Sequence, residues 1–220
     1  MASAGKDQAE APPPGGEPTW LMLTRELAAL AQNGLAYVQN PFDQDRYQRV
    51  RDIAARLVAC GSGVPPEAVQ RVLEAEHGYA TPKIDVRGAV FVDDKVLLVR
   101  ERRDGKWTLP GGFADVNDLP SQAAEREIVE ESGYIARARK LAAVWDRRLH
   151  GQPPSLTHAY KLFFLCDLVG GSPTTSVETD GVGFYPLDAL PPLSLPRVTG
   201  EHLARLLEHH HHPDLPTDFD

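Results

Sequence analysis

Three carboxylates, Glu127, Glu130 and Glu131, stand at i, i+3 and i+4 within GGFADVNDLPSQAAEREIVEESGY, the stretch from Gly111 to Tyr134. At about 100° per residue a helix gathers all three within an arc of roughly 100°, while Ala124 and Ile128 fall on a neighbouring apolar stripe. One face can then pack while another collects negative charge. Like charges at this spacing cost an isolated helix about 0.2–0.5 kcal/mol per pair, and a cation is the natural compensation. Oxygen-only donors suit a hard ion such as Mg²⁺ or Mn²⁺. Three glutamates on an arbitrary helix ordinarily make a solvated acidic face, but the flanks here are specific. Gly111 and Gly112 permit a tight loop close to a ligand, Asp118 and Ser121 are candidate N-caps, and Gly133 sits where a helix stop belongs.

The rest of the chain is ordinary globular material. It has 220 residues, 42% hydrophobic and 25% charged, enough for one well-buried domain and a smaller one. No apolar run approaches the roughly 20 residues of a membrane span and no signal-peptide core precedes the first helix, so a soluble, cytoplasmic protein is expected. Cys60 and Cys166 lack metal or disulfide spacing and read as reduced, packed thiols. The formal charge of −8 opposes a nucleic-acid-coating role.

Residues 1–18, rich in Ala, Pro and Gly, are expected to be a disordered tail. Helical spacing begins at Thr19 and carries Leu23, Leu27 and Leu30 to a stop at Asn33-Gly34; Asp43 opens a second helix, and Pro65-Pro66 a short third one ending near His77-Gly78. An all-helical N-terminal domain over 19–78 is marginal alone, so its apolar faces are expected to pack on the main domain or make a homodimer. After a linker at 79–83 the period changes. Residues 84–92 and 95–102 read as a hairpin in the core sheet, 106–109 as a lead into the glycine loop, and 135–147 and 158–168 as further strands, the last central. Residues 182–185 add a short strand, Asp188–Leu190 a helical turn, and Val198 to His210 a closing helix. The run His209–His212 reads as its frayed polar end and 213–220 as a tail. Strands on both sides of one acidic helix imply an α/β sandwich.

The stretch resembles the Nudix box, G-x5-E-x7-R-E-U-x-E-E-x-G-U with U aliphatic. Gly112, Arg126, Glu127, Ile128, Glu130, Glu131 and Gly133 fall in register. Asp118 stands where the pattern has Glu, one methylene shorter, and Tyr134 where it has an aliphatic residue. The resemblance extends over nearly everything from residue 20 onward. It is nearest to the bacterial branch that hydrolyses CDP-choline and ADP-ribose and carries a helical N-terminal extension, through LAQNGLAYVQNPFDQDRYQRVRDIA (30–54), DGKWTLPGGFADV (104–116) and WDRRLHGQPPSLTHAYKLFFLCDLVGG (145–171). It implies an α+β fold, a Nudix α/β/α sandwich with a mixed sheet over 84–212, and an Mg²⁺-dependent pyrophosphatase.

By that resemblance Glu127 and Glu131 are the firmest metal ligands, Glu130 assists, and the Gly111 carbonyl completes the shell. Arg126 orients a glutamate through its hydrogen-bonding fork. The general base is a box glutamate or a distant loop carboxylate, for which Glu178 and Asp180 are candidates. Arg100, Arg102 and Arg103 flank the glycine loop as candidates for phosphate. Trp107 and Phe113 are candidates to flank a base, or core packing, and Asp115 is a candidate for a sugar or amine group. A quaternary ammonium would need an aromatic cage, with Tyr37, Tyr47, Trp145 and Tyr160 available. Two other functions share these motifs: a hydrolase of nucleoside triphosphates or RNA 5′ ends, and a nucleotide-binding module without catalysis.

Overall fold

The structure, a computed structural model, describes residues 16–220. Most of the expected N-terminal tail therefore lies outside the described residues. The rest of that stretch is not loose, because Glu17 is buried and pairs with Arg25 at 2.5 Å. The chain divides into two compact units, the first ending at Thr81 and the second spanning Pro82–Asp220.

The first unit is helical: α1 (Thr19–Tyr37), α2 (Pro41–Ser62) and α3 (Pro66–Ala75). Asn40 rather than Asp43 caps α2, its side chain accepting from Phe42 N–H. Asn33-Gly34 does not stop α1, which runs three residues further. A Cβ at Gly34 would lie 2.4 Å from the Tyr47 ring, and one at Gly61 2.4 Å from Trp20, so both glycines serve close packing of α1 on α2. Asn33 instead accepts from Ala80 N–H at 2.6 Å. Cys60, expected to be packed, is exposed, whereas Cys166 is buried.

The second unit is a mixed sheet with one helix on each face. Its strands are β1 (Lys83–Val92), β2 (Lys95–Glu101), β3 (Trp107–Thr108), β4 (Tyr134–Asp146), β5 (Ala159–Gly171), β6 (Thr179–Pro186) and β7 (Asp218–Phe219), with helices α4 (Pro120–Ser132) and α5 (Gly200–His211). The order is β3-β2-β1-β5-β4-β7, with β6 on β2; β1 and β5 are parallel, β4 and β5 antiparallel. The expected central strand is central. The β1–β2 pairing closes only near the turn, at Phe91↔Val96 and Val92↔Lys95, and the strands then diverge. The gap is filled by the chain after β3: Val86 N–H donates to Gly112 O and Gly88 N–H to Pro110 O, while Ala114 N–H donates to Ile84 O.

One core lies under α5, with Ala89, Leu98, Phe163, Leu203 and Leu206; the other lies under α4, with Val86, Val90, Leu97, Ala124 and Ile128. Gly88 lets α4 approach, since a Cβ there would meet Ile128 Cδ1 at 2.5 Å.

Two C-terminal expectations are corrected. The histidine run is not a frayed end: α5 continues to His211, His209 is fully buried with Nε2 3.2 Å from Asp218, and His211 Nε2 lies 2.6 Å from Asp94. Residues 213–220 are not a loose tail: β7 pairs in parallel with β4, and Arg205 grips both Asp218 oxygens at 2.6 and 2.8 Å. Polar side chains anchored from neighbouring elements hold this segment, a pattern that local periodicity does not register.

Candidate active site

The glycine loop and α4 meet where β1 and β2 part. Gly111 adopts φ +143°, and a Cβ there would sit 2.1 Å from Val86 O, so only glycine lets the loop lie against β1. Gly111 N–H donates to Glu131 Oε2 at 3.0 Å. A Cβ on Gly112 would lie 3.5 Å from Glu127 Oε1, which places that carboxylate over the same loop. The helix opens at Pro120 with neither Asp118 nor Ser121 as its cap, and Gly133 ends it in the left-handed conformation as expected.

Asp118 has a different task. Its Oδ2 lies 3.2 Å from Arg126 Nη2 and accepts from Asp115 N–H at 3.3 Å. The arginine also reaches Glu127 at 3.0 Å and Glu130 at 2.9 Å. Arg126 therefore sits amid carboxylates, which hold its charge more firmly than usual against partial burial. Glu130, its side chain 56% exposed, turns towards this arginine.

Electrostatics single out Glu131, which is 5% exposed. Burial pushes its carboxyl up to about 8 against the pull of Gly111 N–H and Arg87, and Glu127 and Glu101 push it further. Burial also raises Glu127, with Arg126 opposing and Glu130 adding to the rise. Two adjacent carboxyls thus resist ionisation and would be relieved by a cation. Among the described residues, no three His, Cys, Asp or Glu side chains stand close enough to hold a metal ion. The oxygens of Glu127 and Glu131 beside the loop are hard donors of the kind Mg²⁺ takes, and that ion characteristically keeps several waters.

The loop before β6 and the first residue of that strand are tied to the end of α4. Thr179 Oγ1 donates to Glu131 O at 2.7 Å, and Thr174 N–H to Ser132 O at 2.9 Å. Glu178 is exposed immediately beside buried Thr179. Asp180 is instead engaged with Arg100 at 2.6 Å.

The remaining candidates separate. Arg102 is exposed and donates to Ser176 O at 3.2 Å; Arg103 is exposed. Trp107 packs edge-on to Tyr185 with centroids 4.9 Å apart, and Arg100 lies 6.0 Å from its ring. Phe113, 55% exposed, and exposed Asp115 lie on the loop between Gly112 and α4. Of the candidate cage, Trp145 is buried between His150 and Phe163, so it is core.

Sequence reasoning missed a buried polar group behind the loop. Arg87 Nε lies 2.7 Å from Asp85 Oδ1, and Lys161 Nζ 2.5 Å from Asp85 Oδ2. All three side chains are buried, and Arg87 Nη1 donates to Leu109 O at 3.2 Å. The signal was available in IDVRGAVFV, where two charged residues two apart interrupt an apolar strand and so share one face.

A family model described as the NUDIX domain matches residues 81–206, and one described as a UDP-X-like, N-terminal oligomerisation domain matches 18–73. The Bacillus subtilis (strain 168) protein named "Putative ADP-ribose pyrophosphatase YjhB" is 41% identical over 201 residues, covering 91% of this chain and 97% of that protein. Among solved structures, an ADP-ribose pyrophosphatase from Streptococcus suis is 41% identical with a TM-score of 0.59, over 64% of this chain and all of that one. A UDP-X diphosphatase is 30% identical with a TM-score of 0.59, over 91% of this chain and 98% of that one. With the Nudix model matching more than half of its length and a relative this similar along nearly all of it, the chain belongs to the Nudix hydrolase family.

Proposed function

We propose that this Nudix hydrolase splits the pyrophosphate bond of a nucleoside diphosphate linked to a second group, of the ADP-ribose or CDP-choline type. The products are a nucleoside monophosphate and a phosphorylated partner. The observation that carries this reading is the pair Glu127 and Glu131, both raised by burial, set over the glycine loop. The names borne by the relatives supply the substrate class.

Glu127 and Glu131, with the Gly111 carbonyl, would hold Mg²⁺, or Mn²⁺ in its place. Such an ion supplies charge neutralisation of the diphosphate and a lower pKa for bound water. The chain's own residues do the rest. Arg126 keeps Glu127 and Glu130 oriented from one guanidinium. We assign to Glu178 the proton of the attacking water; support comes from its loop, which Thr179 anchors to the end of α4 that carries Glu131. Arg100 and Arg102 are the cations for phosphate oxygens, and Phe113 and Asp115 line the entrance for the leaving half. Trp107 contributes to that wall through its packing.

The test is product analysis with Mg²⁺ against ADP-ribose, CDP-choline, ATP and RNA bearing a 5′ triphosphate, with Glu131→Gln as control. Monophosphate released from a linked diphosphate, and lost in the variant, is the expected result. Turnover of ATP or RNA alone would replace the substrate class. Binding of ADP-ribose without product would make the protein a nucleotide-binding module.

The matched oligomerisation domain and the exposed apolar residues of α1 and α2, among them Leu30, Tyr37 and Phe42, support a homodimer formed through residues 19–78. Light scattering on the chain lacking residues 1–78 should give a monomer, and an unchanged oligomer would reject this assignment.

A further inference from the structure

The buried group Asp85, Arg87 and Lys161 belongs to no motif, yet the hydrogen bond it sends beyond itself, from Arg87 to Leu109 O, goes to the glycine loop. Its charges are one carboxylate against two cations, which leaves one positive charge inside the domain. Burial alone would raise Asp85, but Arg87 and Lys161 together hold it below the usual carboxylate range, so it remains an anion between them. Such a cluster is expensive to desolvate, and an apolar replacement of similar volume is often as stable or more so. Stability therefore does not account for it.

Its contacts do. Arg87 Nη1 donates to Leu109 O, Gly88 N–H to Pro110 O and Val86 N–H to Gly112 O, at 3.2, 3.0 and 2.8 Å. Three residues of β1 thus hold three carbonyls of the loop. Between them the Gly111 backbone rests on Arg87 itself, for a Cβ there would be 2.9 Å from Arg87 Cα and 3.0 Å from its Cδ. The Arg87 charge also acts on Glu131 and Glu101, the two buried glutamates nearby. Arg197 neutralises Glu101 at 3.1 Å, while Glu131 has the Gly111 N–H.

We propose that Arg87, clamped by Asp85 and Lys161, is a positioning residue for catalysis: it fixes the Leu109–Gly112 backbone so that Gly111 and Glu131 meet in one geometry. Asp85 supplies the direction, since its two oxygens are divided between the two cations. Lys161 keeps Asp85 from turning away. This inference rests on the Glu127/Glu131 reading of the site, and its test separates the two.

Arg87→Lys retains the charge and loses the fork, and Lys161→Met removes the clamp while keeping volume. Three properties are read on the full-length protein: kcat and KM for ADP-ribose, Mn²⁺ affinity by electron paramagnetic resonance, and hydrogen exchange of the Gly111 and Gly112 amides. In Arg87→Lys we expect kcat to fall about 10- to 100-fold, the scale for groups that orient metal ligands. KM should stay within about twofold, since no substrate contact is removed. Mn²⁺ affinity should weaken and loop exchange should accelerate, and Lys161→Met should show the same pattern in smaller degree. A role in stability alone would lower the melting temperature and leave kcat and Mn²⁺ affinity of the folded protein unchanged, which would overturn the proposal. Folded variants with parental loop exchange would overturn it as well. A parent that neither turns over nor binds Mn²⁺, while its Arg87→Lys variant still loses loop protection, would refute the catalytic reading and leave the clamp standing as a device that orders the loop.

Discussion

The Gly111 amide points at the Glu131 carboxylate from 3.0 Å, across twenty residues of sequence, and draws this buried acid towards ionisation. Ordinarily a backbone N–H keeps a carboxyl acidic, but here burial outweighs it and the group is raised to about 8. The site stores electrostatic cost that a bound cation would relieve.

That cost has a sign that can be measured. A carboxyl whose folded pKa exceeds its unfolded value of 4.5 lowers stability progressively as pH rises from 4.5 towards 8. Glu131→Gln removes the charge and keeps an oxygen for the Gly111 N–H. Without metal, the variant should melt above the parent at pH 8 and level with it at pH 4.5. The gain is of order a few kcal/mol, at about 1.4 kcal/mol per unit. Turnover should vanish. Calorimetry at both pH values, paired with kinetics, checks this; a variant less stable than the parent at pH 8 would contradict it.

Asp118 shows how much a one-methylene departure matters. Although shorter than the glutamate of the Nudix pattern, it reaches Arg126 at 3.2 Å. Asp118→Glu should therefore leave kcat within about threefold, and Asp118→Ala should cost about tenfold by loosening the arginine that orients Glu127. Both side chains are about a third exposed, so solvent screening keeps the stability change of either variant below about 1 kcal/mol. Steady-state kinetics and melting curves on the two variants distinguish this from a purely structural pairing, in which melting temperature would move and kcat would not.

Local patterns made the sheet, the acidic helix and its Gly133 stop readable, because apolar period and backbone permissiveness act within a few residues. The interior of the site was less accessible. Asp85, Arg87 and Lys161 come together only because β1 and β5 pair in parallel with Asp85 opposite Lys161, a register fixed by the whole sheet. The same holds for His209 and Asp218, whose contact depends on the chain returning along β4. Gly34 misled for the opposite reason: glycine marks a helix end or a close helix crossing, and only the facing Tyr47 ring decides which.

The general base proposed here, Glu178, can be separated from its scaffold. Glu178 is exposed, and among the described residues its side chain forms no hydrogen bond or ion pair, whereas its neighbour Thr179 is buried and bonded to Glu131 O. Glu178→Gln should lower kcat by about 10²-fold or more, the usual share of a general base, with an unchanged melting temperature. Parental turnover in the variant would move the base to another carboxylate.

His202 offers a prediction that involves no metal and no substrate. It is 2% exposed, stands in the aromatic group of Trp145, Phe163 and His150, and its Nδ1 accepts from Thr199 N–H while the Thr199 hydroxyl accepts from His202 N–H. Burial, aided by the charges of Lys161 and His150, brings its pKa down to about 3. The folded protein thus keeps it neutral where the unfolded chain, titrating near 6.5, takes up a proton. Its contribution is fully present above pH 6.5 and is lost as pH falls towards 3. Between pH 7 and 5 this amounts to about 2 kcal/mol, at 1.36 kcal/mol per unit. Asp218, held down to about 2 by Arg205, titrates below this window and leaves it undisturbed. Glutamine at this third helical position can preserve the reciprocal cap with Thr199. Urea unfolding of His202→Gln should therefore show a stability loss between pH 7 and 5 smaller than the parent's by about 2 kcal/mol. An equal loss in parent and variant would place the acid sensitivity elsewhere.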